Sequence, residues 1–182
     1  LASLKADDPD WIVFPRLCLT GASCGDLFRQ KLLQTAALQA LLDLLILTAG
    51  MPSNILLGLP LVVGGEIFEG VALLSSGQVQ ALMVAPWPDS PALSPSVRLP
   101  EKAQLKIGDK FVTLTTNQPF LFGKVEILLG HQTPGEVETD LLINLINLPA
   151  LAPAEDAPQT AFDPAARLGI TVICSAGASE ST

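Results

Sequence analysis

Residues 11–28 read Trp-Ile-Val-Phe-Pro-Arg-Leu-Cys-Leu-Thr-Gly-Ala-Ser-Cys-Gly-Asp-Leu-Phe. Four apolar residues, Trp11 to Phe14, run into Pro15, which has no backbone N–H to continue a ladder, so a buried strand is expected to end there. Gly21 and Gly25 loosen the chain after it. Asp26 then stands where a helix N-cap belongs, ahead of a long apolar periodic run. The stretch therefore reads as strand, loop and helix start. In open α/β sheets the loop at the C-terminal end of a strand is where sites are built, which makes Arg16 to Gly25 the first place to look for chemistry.

Working outward, Lys31, Thr35, Gln39 and Asp43 recur every four residues, and Leu32, Leu33, Ala36, Ala37, Leu38, Leu41, Leu42 and Leu45 fill most positions between them. One narrow polar stripe on an apolar cylinder predicts a helix from Asp26 to about Leu47, packed over most of its circumference, in an inner layer or at an oligomer contact. Gly50 and Pro52 end it. Ile55 to Leu61 follows as a second buried strand, giving a β-α-β unit and a parallel pair. Glu66–Leu74 and Gln78–Val84 read as a hairpin about Ser75-Ser76-Gly77, and Gln104–Thr115 as another turning at Gly108-Asp109 in a type II′ geometry. Five prolines between Pro86 and Pro100 rule out regular structure there. Lys124–Leu129, Leu141–Leu148 and Gly169–Ser175 complete the strands, with turn chemistry at residues 130–135 and an alanine- and proline-rich loop from Pro149 to Pro164.

Composition bounds the function. The chain has 182 residues, 49% of them apolar and only 15% charged. That length fits one full-sized domain over residues 1–182, and that composition fits segments covered on both sides. Ten basic against eighteen acidic residues give a net charge of −8. With no basic cluster to follow a phosphate backbone, nucleic acid is excluded as the expected partner. Asp43 interrupts the richest apolar run and no signal peptide is visible, so neither membrane nor export is expected. Three cysteines without a C-x-x-C pair fit a reducing, cytoplasmic setting. The chain opens on Leu1 rather than methionine, which fits a piece of a longer polypeptide.

The motif Phe14-Pro15-x-Leu17-x-Leu19-Thr20-Gly21-x-x-Cys24-Gly25-Asp26-Leu27-Phe28 strongly resembles the carbon–nitrogen hydrolase (nitrilase-like) glutaminase domain of glutamine-dependent NAD synthetase. Gly58-Leu59-Pro60, the Val71–Val84 hairpin, Leu121-Phe122-Gly123 to Ile127, Asn144-Leu145 and the ending Ser179-Glu180-Ser181-Thr182 resemble later segments of that domain in order. The resemblance implies an α-β-β-α layered sandwich, two facing sheets with helices outside. It places about one strand and one helix ahead of Leu1, and a closing part beyond Thr182. The synthetase domain of that family, with its Ser-Gly-Gly-x-Asp-Ser phosphate loop, is not in these residues.

By the same resemblance the hydrolase works through a Glu-Lys-Cys triad: a carboxylate moves the proton, an ammonium holds the oxyanion and a thiolate attacks. The three matching positions here are Arg16, Ala85 and Leu128. Arginine cannot give up a proton at neutral pH, and alanine and leucine offer neither cation nor sulfur. The expectation is therefore a pseudoenzyme, with no cofactor and no metal, in which Arg16 pairs with a carboxylate, Glu126 or Glu66, to plug the glutamine site. Such a domain would serve a structural, regulatory or oligomerising role, as a homo-oligomer or beside an NAD synthetase domain. The alternative is a portion of an NAD synthetase that still supplies ammonia in NAD biosynthesis. Cys18, Cys24 and Cys174 read as packed thiols, His131 as a loop residue, Glu136, Glu138 and Asp140 as a solvated strand edge, and Trp87 as a loop anchor.

Overall fold

A computed structural model describes residues 9–84, 103–116, 120–129, 141–149 and 171–179. Among the described residues ten strands and one α-helix follow one another: β1 (Trp11–Val13), α1 (Lys31–Thr48), β2 (Asn54–Val63), β3 (Glu66–Ser75), β4 (Gln78–Val84), β5 (Gln104–Ile107), β6 (Lys110–Thr116), β7 (Phe120–Phe122), β8 (Val125–Leu129), β9 (Leu141–Pro149) and β10 (Thr171–Ser179). They form a six-stranded sheet in the order β1-β2-β3-β4-β6-β5 and a four-stranded sheet in the order β10-β9-β8-β7. The β1-α1-β2 unit is parallel, as its connection requires, with Ile12 opposite Ile55.

Alternation along the strands builds two cores from one sheet. Ile55, Leu57, Leu59 and Leu61 of β2, with Phe68, Ala72 and Leu74 of β3, pack on one face together with Leu41 of α1. Leu56, Val71, Leu73 and Met83 point the other way and meet Ile127 and Leu141 of the second sheet. Trp11 and Phe122 seal that seam edge to face, with centroids 5.8 Å apart at 69°. The described residues thus supply the expected helix layer and both facing sheets. Each fully buried leucine or isoleucine contributes about 1.5–3 kcal/mol by leaving water.

Glycine sets the turns where φ must be positive. Ser76 (φ 51) and Gly77 (φ 68) make the two-residue turn between β3 and β4, and Gly108 (φ 58) makes the one between β5 and β6. A Cβ on Gly77 would lie 2.7 Å from Ala49 Cα, so this turn also seats the end of α1.

The helix departs from expectation in two ways. It starts at Lys31 rather than Asp26, and a 3-10 segment from Ala22 to Arg29 precedes it. Gly25 breaks helical geometry at φ 50, ψ −126, and extended Gln30 is the N-cap. An Asp-Leu-Phe run after glycine therefore belongs to a tight 3-10 turn, where Phe28 is buried with Leu17 and Ile67. Secondly, α1 is not packed all round. Ala37 and Leu41 face the sheet, whereas Leu32 and Ile46 are 80% and 77% exposed. α1 is an outer layer, not an inner one. By length and composition alone, with a mean hydropathy of 1.4 over 18 residues, it could also cross a bilayer, a feature hidden when Asp43 is read as an interruption.

Candidate functional site

The loop after β1 is built around the edge of β2. Strand β1 is only three residues long, so β2 beyond Leu56 has a free edge that the loop covers. Phe14 N–H donates to Leu56 O at 2.8 Å, and Leu19 N–H donates to Gly58 O at 3.4 Å. Between them the backbone of Arg16 and Leu17 crosses directly over Gly58. A Cβ there would stand 2.4 Å from Leu17 N and 2.8 Å from Arg16 Cα, so no other residue type fits without moving the loop. Leu17 adopts φ 49, an uncommon state for leucine that costs about 1–2 kcal/mol. Its carbonyl collects N–H donors from Thr20 (3.0 Å) and Gly21 (2.7 Å), and its side chain is buried against Phe28 and Ile67.

This crossing delivers Arg16 to Glu69. Arg16 Nε donates to Glu69 Oε1 at 2.6 Å and Nη2 donates to Oε2 at 2.8 Å, a two-pronged fork. The side chains are 3% and 2% exposed, so the pair is fully enclosed. Alternation on β3 puts Glu69 on the face of Val71 and Leu73, toward the second sheet. Both carboxylate oxygens of Glu69 accept from one guanidinium. In this arrangement neither partner is free to move a proton or receive an anion.

The partner carboxylate corrects the expectation of Glu126 or Glu66: the fork is made by Glu69, three residues further along β3 than Glu66. Glu66 is exposed at the start of the strand and, by alternation, shares the face of Phe68 rather than that of Glu69. The signal was available. Within Ile67-Phe68-Glu69-Gly70-Val71-Ala72-Leu73-Leu74, Glu69 is the lone charge in an apolar run, and a buried charge requires a partner.

Ala85 lies outside the described residues; Val84, the last residue of β4, pairs with Gly70 beside Glu69. Leu128 is in β8 of the second sheet, in register with Leu142 of β9. Cys18 Sγ donates to Gly58 O at 3.5 Å and Cys24 Sγ to Thr20 O at 3.1 Å. Burial pushes the Cys18 thiol up, partly offset by backbone hydrogen bonding at Gly58 and at Cys18 itself. Cys174 falls within β10, while His131, Trp87, Glu136, Glu138 and Asp140 lie outside the described residues. Among the described residues no group of His, Cys, Asp and Glu is arranged to hold a metal ion.

Solved structures of two kinds share this architecture. Over 97% of this chain a glutamine-dependent NAD(+) synthetase from Cytophaga hutchinsonii superposes with a TM-score of 0.76 at 17% identity. An amidase from Nesterenkonia sp. AN1, of the nitrilase superfamily, does so over 96% with a TM-score of 0.65 at 16% identity. The chain has the carbon–nitrogen hydrolase fold. The NAD+ synthetase from Acinetobacter baumannii agrees, with a TM-score of 0.67 at 16% identity over 97% of the chain. This copy of the fold spans about a third of each synthetase, 32% and 34%, and 68% of the amidase. No family model matches the sequence, and no curated protein does. The carbon–nitrogen hydrolase fold is thus carried by strand pattern and layer packing, at an identity that leaves individual side chains free to differ.

Proposed function

We propose that this chain is a degenerate glutamine amidohydrolase domain that has lost hydrolytic activity and acts through its surfaces, as a structural, regulatory or oligomerising unit. The observation that carries the reading is the enclosed Arg16–Glu69 fork at the position where the resemblance expects a general base. A hydrolase needs a carboxylate at that place to take a proton from the thiol and pass it to the leaving ammonia. Arg16 holds its proton throughout, and Glu69 is committed to it. Loss of a base, an oxyanion donor or a nucleophile each costs on the order of 10³-fold in rate, and Arg16, Ala85 and Leu128 replace all three.

The likeness to NAD synthetases over nearly the whole chain favours a second reading, an ammonia-supplying portion of such a synthetase in NAD biosynthesis. Glutamate release from glutamine by the purified chain separates the two. No release above the spontaneous rate is expected. Saturable release that persists through purification would overturn the degenerate reading and favour the second.

A further inference from the structure

The loop that carries Arg16 has a second side. After crossing Gly58 between the sheets, it wraps round the edge of β2, and Cys18 and Leu19 pack on the helix-facing core. There they line a half-open pocket of about 250 Å³, with Leu57 and Leu74 of the sheet on one side and Leu44 and Thr48 of α1 on the other. It lies across the sheet from the ion pair.

No described residue of its wall carries a charge. Its two polar hydrogens are already used: the Thr48 hydroxyl donates to Leu44 O at 2.7 Å and the Cys18 thiol donates to Gly58 O. A ligand entering here finds no free side-chain donor and no charged side chain in the described wall, so a charged one would lose its hydration without a counter-charge. An apolar cavity of about 150 Å³ already takes up benzene in a protein core. This pocket offers about 250 Å³, though partly open to solvent, and its floor is sheet.

We propose that this cavity is a binding site for a small, uncharged, apolar molecule of about the size of a substituted benzene ring. Because Cys18 and Leu19 follow directly on Arg16 and Leu17, an occupant would also brace the loop that holds the ion pair. The site is independent of whether the chain hydrolyses glutamine, so its failure leaves that reading untouched.

Benzene is the probe, and alkylation of Cys18 by N-ethylmaleimide, followed by mass spectrometry on the full chain, is the readout. Cys24, bonded to Thr20 O outside the cavity, is the internal reference. Benzene at roughly ten times its Kd is expected to slow Cys18 alkylation about tenfold and leave Cys24 unchanged. Benzoate, the same ring with a charge, should protect neither. Leu44→Phe fills the cavity from the half-exposed helix side and should abolish the effect of benzene; the benzene–benzoate comparison on the unmodified chain stands without it. Equal slowing of both cysteines, equal protection by benzoate, or no protection at all would overturn the site.

Discussion

At the scale of single residues, Gly58 decides more than its size suggests. It carries no side chain, yet the course of the loop, the positive φ of Leu17 and the reach of Arg16 to Glu69 all depend on the missing Cβ. Gly58→Ala should therefore destabilise the chain by about 2–4 kcal/mol in denaturant unfolding, an overpacking cost with backbone on both sides. Arg16 itself was legible as a departure from the glutaminase motif, because the surrounding Phe-Pro-x-Leu and Thr-Gly wording left one residue out of place. Its partner was not legible from spacing. Glu69 lies 53 residues away and meets Arg16 only because β2 and β3 pair with Pro60 opposite Glu69. What the sequence did hold was a lone carboxylate inside an apolar strand, a stronger pointer than nearness to any motif.

At the scale of elements, the strands and their turns were readable because period-two apolar runs and glycine punctuation act locally. Gly108 and Gly77 adopt positive φ where the hairpins were expected. The start of α1 was not readable, since Asp26 offers good capping chemistry that Gly25 and the burial of Phe28 override. Nor does composition alone say which side of a leucine-rich helix is covered. The structure divides α1 into a seated side through Ala37 and Leu41 and an open side through Leu32, Ile46 and Leu47. Leu41→Ala should cost about 2–5 kcal/mol, whereas Leu32→Lys should change the stability of a single chain by no more than about 0.5 kcal/mol. Thermal or urea unfolding of the two variants checks the division.

At the scale of the whole molecule, two sheets face one another through Leu56, Val71, Leu73 and Met83 on one side and Ile127 and Leu141 on the other. The carbon–nitrogen hydrolase architecture persists at 16–17% identity because it asks only for apolar alternation and short turns. Chemistry asks for particular atoms. Here Arg16 and Glu69 form an enclosed ion pair, which the function proposed above takes to stand in the place of a proton carrier and to close the site. The most direct test of that closure is a double-mutant cycle on Arg16 and Glu69, read by urea unfolding of the full chain. Arg16→Met or Glu69→Leu alone strands one buried charge and should cost about 3–5 kcal/mol, while the two together should recover most of that loss. Two small effects that simply add, each under about 0.5 kcal/mol, would mean that the charges are solvated and unpaired, and would contradict the closed site.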